Sequence, residues 1–250
     1  MIGANVEGSN ILSEMLSQYA AIMVMKERYG ENNLRKFLKY ELDRYLFGRT
    51  TEPYDERTLA RTVGQQYIHY NKGSVVMMAI HDLLGEQRLN AVLRAFLQDH
   101  QYAQERYPTT LDFIAYLKQG ASEQEQAFIE DQFNAITLYE LKLSDVDVQE
   151  AESVDGEHTV TLTISAAKKH ADGEGNEEDI PLAQMIDVAL FSADPNEIQQ
   201  GDTVIYMQKH EIKTGENTIT LKVTELPKFA GVDPFIKLID KKSGDNIKAL

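Results

Sequence analysis

The chain has 250 residues, 42% of them hydrophobic and 26% charged, the proportions of a folded globular protein with room for one large domain or two ordinary ones. Its formal net charge of −15 repels phosphate backbones and anionic bilayers, which argues against nucleic acid and membrane surfaces as partners. Cysteine is absent, so disulfides and thiolate chemistry are excluded, and no apolar run is long enough to span a membrane.

The opening residues, Met1-Ile2-Gly3-Ala4-Asn5-Val6-Glu7, lack the basic and apolar regions of a signal peptide, and the chain starts close to a helix, as a cut fragment would. Leu12-Ser13-Glu14 opens that helix. From Ile11 to Met25 it is apolar almost all round, which predicts burial inside a domain, and Gly30 supplies its stop. Leu34, Phe37, Leu38, Leu42, Tyr45 and Leu46 then form one stripe, with Arg35, Lys36, Lys39 and Asp43 off it: an amphipathic surface helix ended by Gly48. Residues 49 to 66 are polar, hold Pro53 and keep no period, and read as a long loop.

Helices resume over Lys72–Leu84 and Glu86–Asp99, split by Gly85, and a short one follows Pro108 over Thr110–Lys118. Ser122-Glu123-Gln124-Glu125 is a capping box, and the helix it starts turns Phe128, Ile129 and Phe133 inward. From about Ile136 the period changes to two. Residues 159–166 and 218–224 alternate cleanly, and weaker strands are expected over 139–148, 185–191, 204–210 and 235–240. Turn clusters punctuate them, Asp155-Gly156 and Gly201-Asp202 among others. The prediction is α+β: a helical domain over residues 1–134 and an antiparallel β-sandwich over 135–250, with no internal repeat. The acidic stretch Asp172–Asp179 reads as a solvated hairpin loop. Its carboxylates lack the ordered alternation of a calcium loop.

Two residues stand out. Glu14 sits on an apolar helix, where a carboxylate needs a partner, a cation or an exposed first-turn position near the positive end of the helix dipole. Tyr70, in His69-Tyr70-Asn71-Lys72-Gly73-Ser74, enters a helix and could aim its hydroxyl into a cleft or pack with the hydroxyl at a rim. Taken together, Gly3-Ala4-Asn5-Val6-Glu7-Gly8-Ser9-Asn10-Ile11-Leu12-Ser13-Glu14 and Tyr70-Asn71-Lys72-Gly73 resemble the gluzincin aminopeptidases, the aminopeptidase N family. The strings Asp179–Asp187 and Gly231-Val232-Asp233-Pro234 through Leu238-Ile239-Asp240 to Asp245-Asn246 are similar to bacterial members whose peptidase follows membrane-spanning permease segments.

The resemblance covers essentially the whole chain and implies the all-α lobe of a thermolysin-like zincin domain followed by an immunoglobulin-like sandwich. It implies that Glu14 is a zinc ligand, the third after two histidines, and that Tyr70 is the catalytic tyrosine. Zinc with three protein ligands and a water delivers hydroxide near neutral pH, and a tyrosine hydroxyl stabilises the oxyanion formed from a peptide carbonyl. Tyr67, near Tyr70, reads as core packing or as a second aromatic of the substrate cleft, and the loop 49–61, from its position between the two site residues, would line that cleft. The parent implied is a bacterial membrane protein with its peptidase outside the bilayer, acting on the amino-terminal bonds of peptides.

The departures are as informative. The histidines, at 69, 81, 100, 158, 170 and 210, form no His-Glu-x-x-His, and the Gly-x-Met-Glu-Asn segment that holds a substrate's amino terminus in this family is also missing. His69, expected to face away from Tyr70, is a poor substitute ligand, and His81 reads as a core or rim residue. The expectation is a fragment that holds no zinc and hydrolyses nothing alone, its partner being the other half of the catalytic domain, with self-association through the face that half would cover. The competing readings are a non-catalytic protein-interaction module and a pseudoenzyme.

Overall fold

The computed structural model describes residues 8–102, 106–150, 156–197 and 203–250. Of the resemblance, Gly3 to Glu7 lie outside these residues, as do Asp155 and Gly201-Asp202 of the expected turns. The fold is α+β. Helices occupy the first half: α1 (Leu16–Tyr29), α2 (Leu34–Thr51), α3 (Gly73–Leu84), α4 (Glu86–His100), α5 (Thr110–Lys118) and α6 (Glu123–Asn134). Two π-helical segments, Ile11–Met15 and Tyr67–Lys72, run directly into α1 and α3. After Asn134 the structure is β throughout, and the first strand begins at Ile136.

The strands are β1 (Ile136–Gln149), β2 (His158–Ala171), β3 (Glu177–Ile180), β4 (Ala183–Phe191), β5 (Val204–Lys213), β6 (Gly215–Val223), β7 (Phe229–Val232) and β8 (Ile247–Ala249). In one sheet β2 is central, with β1 along one edge and β3 and β6 sharing the other; in the second the order is β5-β4-β7-β8. All these pairings are antiparallel. Alternation explains the shared core: Val160, Leu162 and Ile164 of one sheet and Ile186, Val188 and Leu190 of the other turn into one hydrophobic cluster.

Both predicted capping devices of the first half hold locally. Gly30 and Gly85 end helices at φ 84° and 78°, values that cost other residues strain. Ser122 and Glu125 form their reciprocal cap, and Thr109 with Asp112 forms a second one that the sequence reading passed over. Residues 172–176 form the β2–β3 hairpin turn, in which the Asp172 carboxylate accepts from the amides of Glu174 and Asn176, and the rest of the expected loop, from Glu177, is strand β3.

Several expectations need correction. Gly48 does not end α2, which continues to Thr51; a Cβ there would lie 2.4 Å from Cβ of Tyr67, so the glycine marks a close approach. Helix α1 is not buried all round: Tyr19 and Ile22 face the core, whereas Ala20, Ala21 and Val24 are exposed. The stretch 49–66 carries a 3-10 turn at Leu59–Arg61, and Leu59, Ala60 and Thr62 are buried.

Arg35, expected on a solvated face, is 2% exposed. Its guanidinium donates to the Pro234 carbonyl at 2.5 Å and to Oδ1 of Asn196 at 2.8 Å, fastening α2 to the β half. The expected strand at 235–240 is absent apart from a single parallel bridge between Asp240 and Tyr139. The Asp233 carboxylate instead accepts from the amides of Lys237 and Leu238 and folds the segment into a tight loop, with Ile236 at φ 56°. The helical core continues into this region through Leu138, Ile236 and Ile239.

Candidate functional site

Glu14 lies in the π-helical segment Ile11–Met15 and Tyr70 in the π-helical segment Tyr67–Lys72, and the two segments pack on each other. A π turn adds a residue to the helical repeat and so rotates the side chains around it, a distortion found mostly as single turns and often at functional sites. The close fit has a local cause: a Cβ on Gly73 would lie 2.8 Å from Cγ of Met15, so the glycine of Tyr70-Asn71-Lys72-Gly73 lets the Glu14 segment sit down on the Tyr70 segment.

Glu14 and Tyr70 are both half-buried on these packed segments, and the Glu14 carboxylate is near enough to act on the Tyr70 phenol. Interaction with the Glu14 carboxylate first, and burial second, hold the phenol above its ordinary value. Tyr70 is therefore a neutral donor at physiological pH. Exchange of Glu14 for an uncharged isostere should release it: in Glu14→Gln the Tyr70 phenol is expected to titrate closer to 10, read from its Cζ resonance in a tyrosine-labelled sample. An unchanged titration would show that the two groups do not communicate.

His69 does not face away from Tyr70. Because the segment is helical rather than a strand or turn, the two rings meet edge to face with centroids 4.8 Å apart. His69 is 4% exposed and its Nδ1 has no hydrogen-bond partner among the described residues. Burial pushes its pKa down, against the pull of the Glu14 charge, so the imidazole is neutral. His81 hydrogen-bonds through Nδ1 to the Tyr19 hydroxyl at 2.9 Å. Tyr67 is 8% exposed and stacks on Tyr45 with centroids 6.0 Å apart; it borders a small recess of about 170 Å³ that includes Arg49 and Glu52 to Glu56 of the 49–61 stretch.

Two buried networks hold the Tyr70 turn. Glu41, 4% exposed, accepts from Nε2 of Gln18 at 2.7 Å and from Nδ2 of Asn71 at 2.6 Å. Gln18 lies in α1, one turn beyond Glu14, and Asn71 adjoins Tyr70, so one carboxylate ties α1 and the Tyr70 segment to α2. Glu56 accepts from the Tyr45 hydroxyl at 2.5 Å and pairs with Arg49 at 2.5 Å and with the fully buried Lys72 at 3.4 Å. Neither carboxylate was singled out in the sequence. Glu41 had a legible signal, since it falls on the apolar stripe of Leu34, Leu38, Leu42 and Tyr45; Glu56, in an aperiodic stretch, had none.

The described residues contain no group of three or more His, Cys, Asp or Glu side chains able to hold a metal ion. Glu14 and His69 are at most two donors where an open zinc site needs three. Comparison with known proteins adds no constraint: no family model matches the chain, and no curated relative matches it.

Proposed function

We propose that the chain contributes the Glu14–Tyr70 wall of a zinc aminopeptidase site of the aminopeptidase N type, with the metal-binding histidines supplied by an adjoining segment of a longer polypeptide. In this reading residues 1–134 are the helical lobe of a thermolysin-like catalytic domain and residues 135–250 an immunoglobulin-like sandwich. One observation carries it: two strings chosen for their resemblance, 56 positions apart in the chain, lie on π-helical turns that pack on each other, with Glu14 acting on the Tyr70 phenol.

The residues present do not fit zinc unaided, so no step is assigned to the metal. In this reading Glu14 would join the two histidines as the third zinc ligand, and Tyr70 would turn its protonated phenol to a developing oxyanion. Glu41 and Lys72 position the turn without touching substrate. The substrate implied is a peptide with a free amino terminus.

The coding sequence upstream of Met1 tests the reading. A His-Glu-x-x-His helix there supports it, and an upstream stop or a sequence without paired histidines overturns it. In the product of that longer reading frame, Tyr70→Phe is expected to lower kcat on an aminoacyl anilide by about a hundredfold or more with KM little changed, since a phenol that acts on the oxyanion works in the transition state. An undiminished kcat removes Tyr70 from the chemistry.

A further inference from the structure

Strand β4 leaves part of one edge unpaired. Its partner β5 runs along residues 183–191, but β7 covers the opposite edge only from Val188 onward. On that opposite edge the carbonyls of Asp187 and Phe191 accept from the amides of Asp233 and Lys228, whereas the Leu182 carbonyl accepts from Thr214 on the β5 side. Peptide groups of alternate residues point to the same edge of a strand. The N–H and C=O of Met185, and those of Ala183, therefore point outward, and they meet no strand among the described residues. Ala183 and Met185 are exposed.

This edge differs from the outer edges of β5 and β6 because it opens into a cavity of about 780 Å³ between the β half and helices α3 and α6. Leu83, Phe128 and Met185 give the cavity apolar surface. Six carboxylates border it against three lysines, an excess of acidic groups in the lining. Lys237 pairs with Asp82 at 2.5 Å and Asp187 at 2.6 Å, Lys209 with Asp82, and Lys168 with Asp131 at 2.9 Å, while Glu125 and Glu211 pair outside the lining with Arg88 and Lys213, and Asp233 is buried. A row of free backbone groups recruits another strand, alternate side chains of that strand fill flanking pockets, and the charge balance selects its sign.

We propose that the cleft binds an extended, basic peptide segment, added as a strand to the 183–187 edge of β4. The site shares no lining residue with the Glu14–Tyr70 pair and stands or falls independently of the peptidase reading.

The probe is acetyl-Lys-Val-Arg-Val-Lys-amide, titrated into the full chain and followed by amide NMR. The expected result is saturable shifts at 183–187. Affinity should fall at least tenfold for the same peptide N-methylated at every second residue in the register that pairs, and saturation should be lost for the Glu-Val-Glu-Val-Glu counterpart. Met185→Pro removes an N–H that meets no strand among the described residues and should weaken the basic peptide at least tenfold relative to Met185→Ala, which removes the same side chain and keeps the N–H. The N-methylated peptides leave the protein untouched, so the test survives a proline variant that misfolds. Equal affinity for both N-methylated registers and the parent peptide, tighter binding of the acidic peptide, shifts outside this edge, or no binding up to millimolar concentration each overturn the proposal.

Discussion

Replacing Glu56 by alanine should lower the unfolding free energy by about 3–5 kcal/mol, the loss expected when one member of a buried ion pair is removed and its partner is stranded. Lys72 is 1% exposed, and burial already pushes its ammonium down in pKa against the pull of Glu56. Without Glu56 the ammonium keeps, among the described residues, the face of Tyr45, 5.2 Å away, and the charge of Asp131, and the Tyr45 hydroxyl and Arg49 lose an acceptor as well. The reverse deletion is milder. Lys72→Met fills the same space with apolar atoms and leaves Glu56 with two partners, so about 1 kcal/mol is expected.

Urea unfolding of both variants at one pH decides the matter. Equal losses would mean that Glu56 does not depend on its other partners and that Lys72 is not stranded by its removal. The consequence reaches the candidate site, because Lys72 is two residues from Tyr70 in the same π-helical segment. Glu56→Ala should therefore also let the Tyr70 phenol titrate nearer its ordinary value, and Lys72→Met should leave it unmoved.

The parts of the fold legible in the sequence were those set by local chemistry. The Ser122–Glu125 cap, the helix stops at Gly30 and Gly85 and the two cleanly alternating strands each depend on residues a few positions apart, and each appears near its expected place. What failed depended on distant surfaces. Gly48 looked like a stop because a bare Cα is ambiguous until Tyr67 is seen against it. Arg35 looked solvated because its acceptors, Pro234 and Ser243, are some two hundred residues away. The 235–240 stretch had strand composition, yet the Asp233 carboxylate outcompeted sheet pairing for its amides. Of the site, Glu14 and Tyr70 were found by resemblance and not by pattern. Glu41, which ties α1 and the Tyr70 segment to α2, was readable only as a carboxylate on an apolar stripe.

Asp233 should make the fold more stable as the solution is acidified from pH 7.5 to 5.5, opposite to the usual loss of stability in acid. It is 2% exposed, and burial raises its carboxyl from 3.8 to about 7, against the amides of Lys237 and Leu238 and the charge of Lys237, while Asp240 pushes the same way as burial. A carboxyl whose pKa is higher in the folded state binds its proton more tightly there. Its contribution is complete below the unfolded value near 4 and is lost as pH rises towards 7. Over the interval from 7.5 to 5.5 the gain is about 2 kcal/mol.

Other groups complicate the raw curve. Asp240, raised by burial to about 6, acts in the same direction. His69 and His81, lowered by burial, act in the opposite one, their contribution being lost as pH falls. Asp112 and Glu125, held near 2, do not titrate in this interval. The difference between the parent chain and Asp233→Asn removes the contributions that the two share and leaves Asp233 with its coupling to Asp240 and Lys237. That difference in unfolding free energy should grow by about 2 kcal/mol in favour of the parent on going from pH 7.5 to 5.5. A difference that stays constant would mean that Asp233 is charged in the folded protein at both pH values, and that the Lys237 ammonium and the two amides outweigh its burial.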